Sequence, residues 1–153
     1  MNSVIQSKQK EHGQSMVELA LTITILMVLL AGTIDFGRAF FTWLAMRDAA
    51  QEGASYGSIK PPSGDITCDP SAPNLVCARV YANLIDVDNE WQKDFEVKIY
   101  IIDHPCIGNT IKVDVKYPEF KLTMPFLGIF IGNSIPIHAT VNDAIILDSS
   151  SCH

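Results

Sequence analysis

The chain is short of charge. Asp, Glu, Lys and Arg make up only 18% of its 153 residues, against ~25% in an average soluble domain. The deficit is local, because residues 19–34 carry no charged side chain at all. Cations are few and scattered. Eleven Lys and Arg against seventeen Asp and Glu leave a net charge of −6. Phosphate backbones are gripped by clustered Lys and Arg, so this balance argues against a nucleic-acid partner. Four cysteines are present but none forms a CxxC pair, and no His stands near them at zinc-finger spacing. Metal sites and redox cofactors are therefore not expected. There is no GxSxG, HExxH or phosphate-cradling glycine pattern. His12, His104, His138 and His153 share no ligand spacing. The reading is of a protein without cofactors that is not an enzyme.

What the chain does have is one long apolar run near its start. Residues 19–34 are sixteen uncharged residues, and counting back to Gln14 gives 21. A helix needs about 20 residues to cross the hydrocarbon core. Thr22, Thr24 and Thr33 can bond back to their own turn. Lys8 and Lys10 precede the run. Arg38 and Arg47 follow it, in the company of Asp35, Asp48 and Glu52. The bias of Lys and Arg modestly favours an N-terminus inside. The cysteines agree with it. Cys68, Cys77, Cys106 and Cys152 all lie downstream of the run, as suits disulfides on an oxidising side.

Glu18, at the head of the run, is the residue a membrane helix should least want. A carboxylate in lipid costs roughly 2.5–3.5 kcal/mol even on lenient scales. Three signals compete to explain it. A secretory signal peptide needs small residues at both positions of a cleavage site after the run. Neither Leu29-Leu30-Ala31 nor Phe36-Gly37-Arg38 provides them. A plain signal anchor needs no Glu18. A prepilin-type signal is cut on the cytoplasmic side, after a glycine and before the apolar run, and places an acid fifth in the mature chain. Gly13 followed by Gln14, Ser15, Met16, Val17 and Glu18 fits that spacing. Cleavage would free an amine at Gln14, a partner for Glu18 of a neighbouring subunit. The simpler alternative is that Glu18 reaches the interface by itself.

No proline interrupts the helical pattern before Pro61. Phe36, Ala39, Phe40, Trp43, Met46 and Ala50 recur at three- and four-residue steps. Phe40, Phe41 and Trp43 fit either an outer membrane interface or a core face. Ala45, Ala49 and Gly53 align on the helix, as do Ala50, Ala54 and Gly57, and such small faces admit another backbone closely. Pro61 and Pro62 end the helix. Residues 59–74 hold four prolines, a loop that Cys68 and Cys77 could staple. A second helix is predicted from about residue 73 to 85. Residues 86–90 form an acidic break lacking the glycine and distal acid of a calcium loop. Phe95, Val97, Ile99 and Ile101, then Ile111, Val113, Val115 and Tyr117, then Ile135, Ile137, Ala139 and Val141 alternate with polar residues. Each set predicts a strand with one buried face. Residues 124–131 read as a core loop or an exposed docking patch. Of the three pairings open to four cysteines, Cys68 with Cys77 and Cys106 with Cys152 is preferred.

The pieces resemble a family. Gly13, Gln14 and Glu18 before the run, Asp35, Phe36, Gly37 and Arg38 after it, and Ala49, Ala50, Glu52 and Gly53 beyond are similar to the TadE-like proteins of tight-adherence (Flp-type) pilus systems. The strands at 111–120 and 135–141 are similar to that family's closing strands. The resemblance implies a minor pseudopilin that is cut by prepilin peptidase. It implies partners among other pilin or pseudopilin subunits and an inner-membrane assembly platform, with a role in assembly or initiation of a thin adhesive pilus. The alternative is a bitopic surface protein whose disulfide-bonded head binds a ligand. The expected organisation is a leader (1–13), a transmembrane helix (14–34), its extracytoplasmic continuation (35–58) and a disulfide-stabilised head (59–153). The expected fold is α+β, with the long helix packed on a three-stranded antiparallel sheet. The expected location is a single pass through the cytoplasmic membrane, head outside, kept there or incorporated into the pilus.

Overall fold

The computed structural model describes residues 8–71, 73–84, 95–123, 132 and 134–147, with side chains from residue 13 onward. The chain divides into two compact units, Met1–Gly37 and Arg38–His153. Six elements follow in order: α1 (Lys8–Ile59), β1 (Ile66–Thr67), α2 (Leu75–Leu84), β2 (Glu96–Ile102), β3 (Thr110–Lys121) and β4 (Ser134–Ala144).

The first unit is the N-terminal part of α1. Its Leu, Ile, Val and Met side chains from Met16 to Leu30 are exposed. The Thr22, Thr24 and Thr33 hydroxyls donate to the carbonyls of Glu18, Ala20 and Leu29, each at 2.8 Å. These bonds leave no hydroxyl unsatisfied along an apolar surface. By length and composition this is the one helix among the described residues able to cross a membrane. The core helix of a soluble protein can match that length and composition too, but it is mostly buried. Here none of the apolar window is buried, which sets it apart from a core helix and suits a single pass through a membrane.

The second unit is α+β. Its sheet has four strands in the order β1-β2-β3-β4, all antiparallel, where three were expected. The added strand, β1, is two residues long. It pairs Ile66 with Ile99 and Thr67 with Lys98, and the Cys68 amide continues the ladder to the Val97 carbonyl at 2.9 Å. A strand this short has too few residues to show alternation, and proline-rich sequence surrounds it.

The other strands follow their pattern. Val97, Ile99, Ile111, Val113, Val115 and Tyr117 are buried. The opposite face pairs Glu96 with Lys116 and Lys98 with Asp114, opposite charges across neighbouring strands. β3 runs beyond the expected Tyr117. A register irregularity between Tyr117 and Phe120 brackets Pro118, which has no amide to donate. Strict alternation would turn Glu119 inward. The irregularity sends Phe120 in instead, at 1% exposure, and leaves Glu119 in solvent.

Asn74 precedes α2 and caps it, its side-chain oxygen accepting from the Val76 amide at 3.3 Å, an N-cap contact. α1 ends before Pro61. The carbonyl of Ser58, one of the orphan acceptors of the helix end, accepts from the Ile146 amide at 2.9 Å. The β2–β3 turn holds Asp103 at φ 71° and Gly108 at φ 89°. The Gly108 amide reaches the Ile145 carbonyl at 3.0 Å.

The core lies where residues 46–57 of α1 meet α2 and β3. Met46, Ala49, Ala50 and Ala54 are completely buried. A Cβ on Gly53 would stand 2.3 Å from Val80 Cγ2, and one on Gly57 would stand 2.3 Å from Ile111 Cδ1. Both glycines are required by the closeness of these contacts. Gly53→Ala is expected to destabilise the full chain in detergent by about 1–3 kcal/mol, the range of overpacked cores, because Val80 has a stiff χ1. Gly57→Ala should cost less, since the terminal methyl of Ile111 can turn aside. Denaturant midpoints test this, and equal midpoints for wild type and both variants would remove the packing argument.

Candidate functional site

Gly13 and Gln14 lie within α1, not at its end. Among the described residues, no atom beyond its own helical turn comes within 4 Å of a Cβ built on Gly13. Packing therefore does not require glycine there, although a helix interior disfavours it by about 1 kcal/mol relative to alanine. Gln14 and Glu18 are four apart and exposed, and with Gly13, Val17 and Leu21 they line one open depression. That places the Glu18 carboxylate on the helix face that Gln14 shares.

Further along α1, Asp35 is buried at 3% exposure. Gly37, like Gly13, has open space at its Cβ position. Arg38 belongs to the second unit. Its guanidinium donates to the Thr123 hydroxyl and lies 5.5 Å from the centre of the Phe120 ring, so it ties α1 to the end of β3. The sequence holds no local signal for that link, because 85 positions separate Arg38 from Thr123. Glu52 stands 4.0 Å from Arg79 of α2, both well exposed, a spacing worth little. Arg79 also lies 5.2 Å from the Tyr56 ring centre.

Cys68 and Cys77 are joined by a disulfide with Cα atoms 5.6 Å apart. The Tyr81 hydroxyl donates to the Cys68 carbonyl at 3.3 Å. Burial raises the Tyr81 pKa, with a smaller push from the Asp69 charge. Asp69 accepts from the hydroxyl and amide of Ser71 at 2.6 and 2.8 Å. Those bonds favour its ionised form and hold its pKa below the usual carboxylate value. Cys106 is also disulfide-bonded, while Cys152, its expected partner, lies outside the described residues. The acidic stretch 86–90 and the apolar stretch 124–131 lie outside them too.

One cluster went unread in the sequence. His138 Nε2 lies 2.8 Å from Asp114 Oδ1, and the Thr140 hydroxyl donates to that same oxygen at 3.1 Å. Strand register makes them neighbours, since Asp114 pairs with Thr140 and Lys116 with His138. The alternation of β4 points His138 away from the buried row but names no partner for it. Among the described residues no group of three or more His, Cys, Asp or Glu could hold a metal ion.

An exposed apolar helix that runs on into a disulfide-bonded α+β unit defines a helix-anchored protein. Within that class, residues 13–55 match the family of the TadE-like protein. The match takes in Gly13, Gln14, Glu18, Asp35, Gly37, Arg38, Glu52 and Gly53 together. This part of the chain is similar to the TadE-like family, as the sequence motifs indicated. The strands likened to that family lie beyond the matched residues. No curated protein and no solved structure matches the chain.

The small covalent loop yields a measurable expectation. Cys68 and Cys77 are nine positions apart, and closing a loop of that size restricts the unfolded chain by about 2–3 kcal/mol. The Cys68→Ala, Cys77→Ala double variant should lose about that much stability in denaturant unfolding of the full chain. A midpoint like that of wild type would show that the disulfide does not hold the loop.

Proposed function

We propose that this chain is a minor, pilin-like membrane protein that acts in assembly or initiation of a tight-adherence pilus. The observation that carries the reading is the TadE-like match over residues 13–55, which joins the glycine–acid signal to the Asp35, Gly37 and Arg38 motif in one segment. In this reading prepilin peptidase cuts after Gly13. Among the described residues nothing packs on Gly13, as suits a glycine kept for processing and not for the fold. Lys8 and Lys10 keep the leader inside, and the cysteine-bearing head lies outside. The membrane, the peptidase, neighbouring pilin or pseudopilin subunits and an inner-membrane assembly platform are its partners.

Glu18 has the central part. Alone in lipid its charge is costly. Next to the amine freed at Gln14 of a neighbouring subunit, two charges are neutralised together. That sets the axial register of packed helices.

Two experiments bear on this. Mass spectrometry of the protein from cells carrying the peptidase should find a mature chain starting at Gln14, and Gly13→Asp should leave the leader in place. An intact leader on the wild-type chain would overturn the proposed processing. Glu18→Ala should still be cut but should reduce pilus number at least tenfold by electron microscopy. Wild-type piliation by that variant would remove the charge-pairing role.

A further inference from the structure

We infer that Phe40 and Phe41 seat the base of the head in the outer headgroup layer of the membrane that the N-terminal helix crosses. The inference rests on the membrane-spanning reading and extends it to a second surface, on the other unit of the chain. Sequence left these rings either in the core or at a lipid interface. The structure places them outside the core. Phe41 is 70% exposed and Phe40 47%, whereas Trp43 is half-buried and packs on the core cluster.

Three observations select lipid as the occupant. The first is depth. About 20 helical residues cross the hydrocarbon core; with Glu18 rather than Gln14 taken as its inner edge, the span ends near Arg38 instead of at Ile34 and takes in the buried Asp35. Phe40 and Phe41 come next, at the level of the headgroups. The second is the chemistry of the surface. Phe is among the apolar residues that interfacial helices sink into the boundary between headgroups and acyl chains, and here the two Phe rings form a connected set with Trp43. The Phe40 ring meets Phe41 edge-on and stacks on Trp43, each with centroids 6.2 Å apart. The third is the charge around the rings. Arg47 follows them and is exposed beside Asp48, with its guanidinium 5.6 Å from the Trp43 ring centre, while Arg38 is held by Thr123 and Phe120. Arginine side chains lying along aromatic surface can present their charge to lipid phosphates. Glu18 near the inner edge and the two rings at the outer edge would together fix how deep the helix sits.

The test places a photoreactive benzoylphenylalanine, one position at a time, in the full chain reconstituted into phosphatidylethanolamine–phosphatidylglycerol vesicles. The substitutions are Ile25→benzoylphenylalanine, Phe41→benzoylphenylalanine and Gln51→benzoylphenylalanine. After illumination, the first two should gain the mass of one phospholipid and the third should not. A lipid adduct at 25 with none at 41, or with a chain-to-chain adduct there, overturns the inference and leaves the span intact. Lipid adducts at all three positions also overturn it, because the rings would then mark no boundary. No lipid adduct at 25 overturns the spanning reading itself, and this inference with it.

Discussion

The second unit depends on how closely one helix can approach. Gly53 and Gly57 stand on α1 one turn apart, and each faces a side chain already occupying the space a Cβ would need. Val80 fills one gap from α2 and Ile111 fills the other from β3. Interiors are packed as densely as organic crystals, so this contact has little slack. With α1 so close, the inner rows of β2 and β3 are shielded from water. α2 lies against the same helix face. Most of the buried aliphatic side chains lie around this junction.

Less regular segments are held by a few polar and covalent ties. Cys68 serves three of them. Its amide extends the β1–β2 ladder, its carbonyl accepts from Tyr81, and its sulfur is bonded to Cys77 of α2. The Asp65 carboxylate adds another by accepting from the Ile101 amide at 2.9 Å. At the other edge, the chain after β4 returns to the end of α1, where Ser58 offers its carbonyl. A loop with four prolines and a C-terminal return are thereby fixed without a large apolar surface of their own.

Much of this could be read from residues alone, for physical reasons. The apolar run, the stop at Pro61 and the alternation of β2, β3 and β4 are local signals, and each led to the right element. The resemblance carried by Gly13, Glu18, Asp35, Gly37 and Arg38 coincides with the segment that matches the TadE-like family. What escaped was set by distant parts of the chain. β1 exists because β2 offers it an edge. Phe120 turns inward because of the irregularity at Pro118, which period-two counting cannot include. The stripe of Phe36, Phe40, Trp43 and Met46 looked uniform, yet Met46 is fully buried while Phe36 and Phe40 are exposed. A helical period reveals a face but not where its covering ends. Arg38 with Thr123 and His138 with Asp114 are pairs made by the fold.

The glycines of α1 divide into two kinds, with a consequence for how such a sequence drifts. Gly53 and Gly57 are occupied to the limit, while Gly13, Gly32 and Gly37 have open space where a side chain would begin. Helices favour alanine over glycine by about 1 kcal/mol. Selection for folding of the single chain would therefore preserve the first kind and wear away the second. Lineages that kept the chain folded but lost its use would show alanine at 13, 32 and 37 long before 53 or 57 changed. Glycine persisting at those open positions would record a demand from outside the chain's own fold.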